Sequence, residues 1–347
     1  MGRGAHGVLC VEASLMRALL AVALCSALCA AACAPQPLGS VTPAPARAVS
    51  TPTPGVATQR RAPVLRLPHR VPTPRPVPTN AAALAVVASA AVARLDGLLD
   101  GLLPEPNPAY GLVLEDLETG ARVGLNDGQV FPSASLYKLG LAWLVLRRVD
   151  SRALSLDTLL SIEDDDGVEP EPDGGLAIGD TPRVADAVKI MLSVSSNAAA
   201  HAFLRTLGRA AFNEEMARIG LSQTRVPDDV SGDAPEGEAL AVTTAADIAH
   251  LLRLVATSQL LSVSSRDLLM ECLASNTPPD ALRETLPEGI DVLDKTGNLE
   301  DASNVGALLQ SARGTVILVV LDHGVDPGDA RSVIAEAGMA AYRALLQ

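Results

Sequence analysis

Only three lysines occur in the 347 residues, Lys138, Lys189 and Lys295, against 24 arginines. Two of them close or open short polar motifs, Ser135-Leu136-Tyr137-Lys138 and Lys295-Thr296-Gly297, and between these lies Ser195-Ser196-Asn197. Arginine cannot give up its proton in a protein, whereas a desolvated lysine can, so a chain that otherwise carries its positive charge on arginine keeps lysine where an amine is needed. Ser135 is expected to open a helix, near the positive end of its dipole, with Lys138 one turn on and on the same face. Burial would lower the Lys138 amine until it can accept the serine proton. Lys295 could bind a carboxylate, Thr296 could hydrogen-bond it, and Gly297 would let a substrate backbone come close. Ser195 and Asn197 are suited either to capping a helix or to binding substrate. Three motifs in this order, 60 and then 100 residues apart, point to serine acyl transfer.

The elements that must hold these residues are legible from about Ala82 onward. Residues 82–103 are rich in Ala, Leu and Val at helical spacing and stop before Pro104. Tyr110–Leu117 and Ala121–Leu125 read as two strands joined by a turn at Glu118-Thr119-Gly120. Residues 135–149 form an apolar helix, and a helical stretch spans 182–256 with turns at Gly208 and Gly220. Three strands follow at 291–296, 304–309 and 315–321, and an amphipathic helix closes the chain at 330–346. Strands at both ends with helices between predict an α/β (α+β) domain. Its five-stranded antiparallel sheet would be flanked by terminal helices and carry an inserted all-helical lobe, with a cleft between the two.

Apolar residues make up 48% of the chain and aromatics only 2%, so the core must be aliphatic. Charge is divided unevenly: residues 1–81 carry eight Arg and one acid, while residues 82–347 carry 19 basic and 39 acidic side chains. An acidic domain of this kind argues against a nucleic-acid partner. His201 lies four residues after Asn197 on the same helix face, where it could act as a base but reads rather as a surface or packed histidine; His250 and His323 show no metal-ligand spacing, and no metal or other cofactor is expected. Glu163-Asp164-Asp165-Asp166 lacks the EF-hand pattern and reads as a solvated acidic loop.

Residues 1–33 have the layout of an export signal, with Arg17 ahead of an apolar run and Ala30-Ala31-Ala32 before Cys33; translation starting at Met16 would fit that layout better. Residues 34–81 hold 12 Pro and six Arg with no acid, and are expected to form a disordered, extended linker. Four of the five cysteines lie in the leader, leaving Cys272 alone in the domain as a small buried hydrophobe with no disulfide partner there.

The three motifs resemble those of the penicillin-recognising serine enzymes, and specifically the class A β-lactamases. The resemblance covers roughly residues 82–347. It implies Ser135 as the acylated nucleophile, Lys138 as its basic partner, Ser195 as proton relay to the departing nitrogen and Asn197 as ligand of the substrate amide. It also implies Lys295 and Thr296 as the carboxylate site beside Gly297, and the backbone N–H groups of Ser135 and Asn298 as the oxyanion hole. Ala-Ala-Ala-Cys33 resembles a bacterial lipoprotein cleavage site, which implies a lipid anchor at Cys33. The expectation is an exported, monomeric, envelope-bound enzyme that hydrolyses β-lactams, with the antibiotic resistance that such activity confers. The alternatives are a penicillin-binding protein or D,D-peptidase acting on cell-wall peptide, and a catalytically silent envelope-binding module. Intact motif lysines argue against the last, because a silent domain has no physical need of them.

Two departures bear on release of the acyl group. Ser196 stands where class A enzymes have Asp, and the Glu-x-x-Leu-Asn motif that supplies their hydrolytic base is missing between Gly220 and Thr243. Asp229 falls at about the right distance before Thr243, with Asp228 beside it. Asp is one methylene shorter than Glu, which would misplace a base by roughly 1.5 Å. Residues 150–200 also lack the aromatic side chain that the family usually stacks on its ligand.

Overall fold

The computed structural model describes residues 92–93, 96–97, 101, 107–167, 171–227 and 241–347. All belong to the unit Pro68–Gln347. The readings of residues 1–81 as leader and linker, with Cys33, and of Asp228 and Asp229 fall outside the described residues.

The strands form where β-branched and aliphatic residues run without interruption. β1 (Tyr110–Asp116) and β2 (Arg122–Leu125) make the expected hairpin. β5 (Asp291–Leu299), β6 (Ala302–Ser311) and β7 (Gly314–Asp322) make the meander near the C-terminus. Together they form one antiparallel sheet of order β2-β1-β7-β6-β5. Every residue of β7 is buried, as its central position requires. The two faces separate by the period of two. Val113, Leu293, Leu308, Ile317, Val319 and Leu321 face the helical lobe. Leu112, Leu309, Leu318 and Val320 pack on the other side with Ile334 and Ala337 of α8 (Pro327–Ala341). Each such leucine or isoleucine contributes about 1.5–3 kcal/mol by leaving water.

The lobe is built on α1 (Tyr137–Asp150), whose residues 137–146 are all buried. Trp143 lies at its centre and donates through Nε1 to Glu215 Oε1 at 3.1 Å. Around it stand α2 (Val184–Ser193), α3 (Asn197–Leu207), α4 (Arg209–Arg218), α5 (Ala245–Ala256) and α6 (Val263–Ala274). A short α7 (Ala281–Thr285) leads back to the sheet. The backbone at 92–93, 96–97 and 101 is helical. Cys272 is buried and, among the described residues, has no disulfide partner, and burial pushes its thiol up to about 12.

Several boundaries differ from the sequence reading. The described residues of the stretch at 182–256 form four helices and a two-residue strand, β4 (Val242–Thr243), which pairs with β3 (Phe131–Pro132). The closing helix starts earlier, at Pro327, because Asp326 caps it by accepting from Gly328 N. Lys295-Thr296-Gly297 lies inside β5 rather than at its end, since pairing with β6 continues to Leu299. Ser135 stands in a 3-10 turn (Ala134–Leu136) ahead of α1 rather than in α1 itself. The acidic run is not wholly solvated: Asp166 is buried, and Arg205 binds it at 2.7 Å. A buried carboxylate needs such a partner, and the sequence gives no sign of one 39 residues away.

Candidate active site

The nucleophile turn is held from three sides. β3 delivers the chain to Ser133, whose N–H donates to Ala241 O at 2.8 Å. Asn304 of β6 donates to Pro132 O at 2.8 Å and accepts from Asp322 N at 2.9 Å, tying β3 to the sheet. On the third side Gly297 lies flat against the turn. A Cβ there would sit 3.0 Å from Ser135 N and 3.1 Å from both Ser133 O and Ala134 Cβ. Ala134 takes a positive φ of 46° to make this bend, a conformation that costs a non-glycine residue about 1–2 kcal/mol.

Lys138 is wholly buried. Its ammonium donates to Ser195 O at 2.6 Å and Asn197 Oδ1 at 2.7 Å, with Ser195 Oγ at 3.4 Å. Burial holds its pKa well below the ordinary lysine value; the nearby Lys295 charge lowers it further and Glu171 opposes both. Among the described residues Ser135 Oγ makes no hydrogen bond to Lys138. Catalytic hydrogen bonds are often long or misaligned until substrate is bound.

The turn between α2 and α3 divides its labour. Ser196 is the helix cap: it is buried and accepts from Ala199 N at 3.2 Å. Serine and aspartate cap about equally well, so the departure at Ser196 leaves the helix end intact. Ser195 has a φ of +65°. That left-handed residue turns its carbonyl toward Lys138 and its hydroxyl toward Lys295, whose Nζ donates to Ser195 Oγ at 3.0 Å. Asn197 opens α3.

Lys295 is also fully buried and donates to Thr296 O at 2.6 Å. Burial lowers it to about 8, and Asp294 opposes the shift. Asp294 lies behind the strand, held by Arg283 at 2.5 Å and Asn276 at 2.7 Å. Burial and the charge of Asp280 raise Asp294 to about 7. β5 is an edge strand, so one side of its backbone is open to the cleft.

One cavity of about 500 Å³ collects these groups. Ser135, Ser195, Asn197, Thr296 and Asn298 line it with Pro172, Asp173, Val194 and Thr277–Pro279. Thus the structure brings the three motifs together, with Lys138 and Lys295 directly behind the lining. His201 is half-buried in α3, and burial followed by the Lys138 charge lowers its pKa. No cluster of His, Cys, Asp and Glu suited to a metal occurs among the described residues.

Sequence reasoning missed Glu171. Its Oε2 accepts from Asn197 N and Ala198 N, both at 3.2 Å. One of two glutamates alternating with prolines in a connecting segment, it carries no motif that could have singled it out.

A serine nucleophile turn, two buried lysines and an edge strand on this sheet-plus-lobe fold define a penicillin-recognising serine hydrolase. The sequence model of the β-lactamase enzyme family matches residues 96–345, and the chain belongs to that family. Among solved structures it is similar to a variant of the class A β-lactamase of the last common ancestor of Gram-negative bacteria. The identity is 31% and the TM-score 0.64, over 72% of this chain and 98% of the other. A β-lactamase from Xanthomonas campestris is 26% identical with a TM-score of 0.63, covering 75% and 99%. PBP-A shares the fold at 20% identity and a TM-score of 0.66, covering 73% and 95%.

Proposed function

We propose that this serine β-lactamase is acylated at Ser135 by the β-lactam amide and then releases the acyl group to water. The observation that carries the reading is the convergence of Lys138 and Lys295 on the Ser195–Asn197 turn beside Ser135. In the first step the neutral Lys138 amine takes the Ser135 hydroxyl proton as Oγ bonds to the carbonyl carbon. The oxyanion that forms is met by the N–H groups of Ser135 and Asn298, each donor contributing about 2.7–4 kcal/mol to the transition state. Ser195 Oγ then passes a proton to the ring nitrogen as the amide bond breaks, and the lysines replenish it. Lys295 and Thr296 hold the substrate carboxylate, and Asn197 binds the side-chain amide of the substrate. In the second step water attacks the ester and Ser135 leaves with a proton. Asp229 acts as base for that water. Both described ends of its segment are held close to the nucleophile, Arg225 pairing with Val242 and Ala241 with Ser133.

The missing Glu-x-x-Leu-Asn motif favours a second reading, a penicillin-binding protein or D,D-peptidase that releases β-lactam acyl groups slowly. General-base help is worth about 10²–10⁴-fold, so its loss would turn a hydrolase into a trapped ester. The experiment is turnover of a chromogenic cephalosporin by the purified full chain, with intact mass followed over time. Repeated turnover with little adduct is expected. A single long-lived adduct on Ser135 would establish the second reading, and neither signal would remove both. The leader and linker support export and anchoring through Cys33; Cys33→Ser should release the protein from membranes, and unchanged membrane association would end that assignment.

A further inference from the structure

Glu171 belongs to none of the three motifs, yet it touches the helix that opens with Asn197, the last residue of the middle motif. Its Oε2 receives the N–H groups of Asn197 and Ala198, the first turn of α3. Asn197 in turn presents Oδ1 to Lys138 Nζ at 2.7 Å. The second carboxylate oxygen, Oε1, is buried and has no hydrogen-bond partner among the described residues. The next two residues, Pro172 and Asp173, line the catalytic cavity. A carboxylate is stabilised at a helix N-terminus, but a buried oxygen left without a donor is costly. That cost is offset where a cation stands nearby, and Lys138 is the buried cation attached to the same asparagine.

We infer that Glu171 is a positioning residue for acylation, anchoring the Asn197 turn with one oxygen and placing its negative charge opposite Lys138. The inference rests on the reading of Ser135 as nucleophile and Lys138 as base, and it adds a group that opposes the loss of the Lys138 proton favoured by burial and Lys295. Other charged and titratable groups face Lys138 as well. Lys295 approaches from β5 with Asp294 behind it, and His201 from α3. Arg209 of α4 and Asp166 act on His201 from farther out. Lys295 opposes the protonated form of Lys138 and Glu171 favours it. Loss of the Glu171 charge therefore lowers the pH at which Lys138 gives up its proton, and the acid limb of acylation moves with it.

The chain has three lysines, so their side-chain NMR signals can be followed one by one through a pH titration of the full chain carrying labelled lysine. Lys189→Arg and Lys295→Arg assign the signals. Glu171→Gln keeps an acceptor for the two backbone N–H groups and removes the charge. Its expected effect is a fall in the Lys138 midpoint, with Lys189 unmoved. The acid limb of acylation should shift by the same amount. Glu171→Ala also loses the anchor, and its acylation rate should drop at every pH by about tenfold or more. A Lys138 midpoint unmoved in Glu171→Gln overturns the inference. If the alanine variant fails to fold, the glutamine variant carries the test by itself. The titration needs no substrate. A wild-type chain that no β-lactam acylates would therefore count against the proposed function, while the Lys138 signal alone decides the role of Glu171.

Discussion

Lys295 Nζ donates to Ser195 Oγ at 3.0 Å across 100 residues of chain. The same hydroxyl lies 3.4 Å from Lys138 Nζ. One serine hydroxyl thus connects two buried amines, one from α1 and one from β5. Such a hydroxyl can take a proton from either side and hand it on. Its neighbour Ser196, of the same residue type, is turned into the helix end and caps it.

Substituting the two serines separately should therefore give opposite results. Ser195→Ala is expected to slow acylation by about 10²–10⁴-fold, the worth of positioned proton transfer, while the melting temperature stays close to wild type. Ser196→Ala should lose about 1 kcal/mol of stability with its cap, a drop of about 2–4 °C, and keep most of the acylation rate. Stopped-flow acylation and thermal melts of both variants check this. Equal kinetic losses in the two would contradict the division of roles.

Lys295 titrates at about 8, so its charge is present below that pH and lost above it. Affinity for an anionic substrate should be full at pH 6–7 and weaken as pH rises through about 8, seen as a rising KM. Lys295→Arg should remove this limb, because a guanidinium stays charged. A KM for the wild-type chain that is flat to pH 10 would rule the assignment out.

Gly297→Ala places a methyl 3.0 Å from Ser135 N. The turn must retreat by a few tenths of an ångström, pulling the nucleophile and its N–H out of line. Acylation should fall by about tenfold to 10²-fold, with folding largely retained. Single-turnover rates measured beside circular dichroism distinguish this from unfolding.

Asp229→Asn should leave acylation unchanged and slow release of the acyl group by about 10²-fold or more. Mass spectrometry would then show the Ser135 adduct persisting, whereas Asp228→Asn should release it normally. Normal release in Asp229→Asn would mean that the base comes from elsewhere.

The hairpin, the three late strands and the central apolar helix were readable from the chain because each buries apolar residues at its own period. The β1–β2 hairpin and the β5–β6–β7 meander follow from their short antiparallel connections, whereas the β1–β7 pairing that joins them spans the whole helical lobe and is a tertiary contact. Local boundaries were less legible where a side chain decides them, as Asp326 does for α8. Lys295-Thr296-Gly297 looked like a strand end because glycine interrupts the apolar run, and only pairing with β6 carries the strand on to Leu299.

At the site, residue type and order alone singled out Ser135, the two amines and Thr296, since few side chains other than lysine can serve as a buried titrating cation. Tertiary structure decided what those lysines touch. The left-handed Ser195 that joins them, the edge strand lying on the Ser135 turn, and Glu171 under the α3 terminus all depend on contacts between segments 26 to 162 residues apart. A sequence motif records the identity of a reacting group. Its partners across the fold, and the electrostatic field they produce, arise only when distant elements pack.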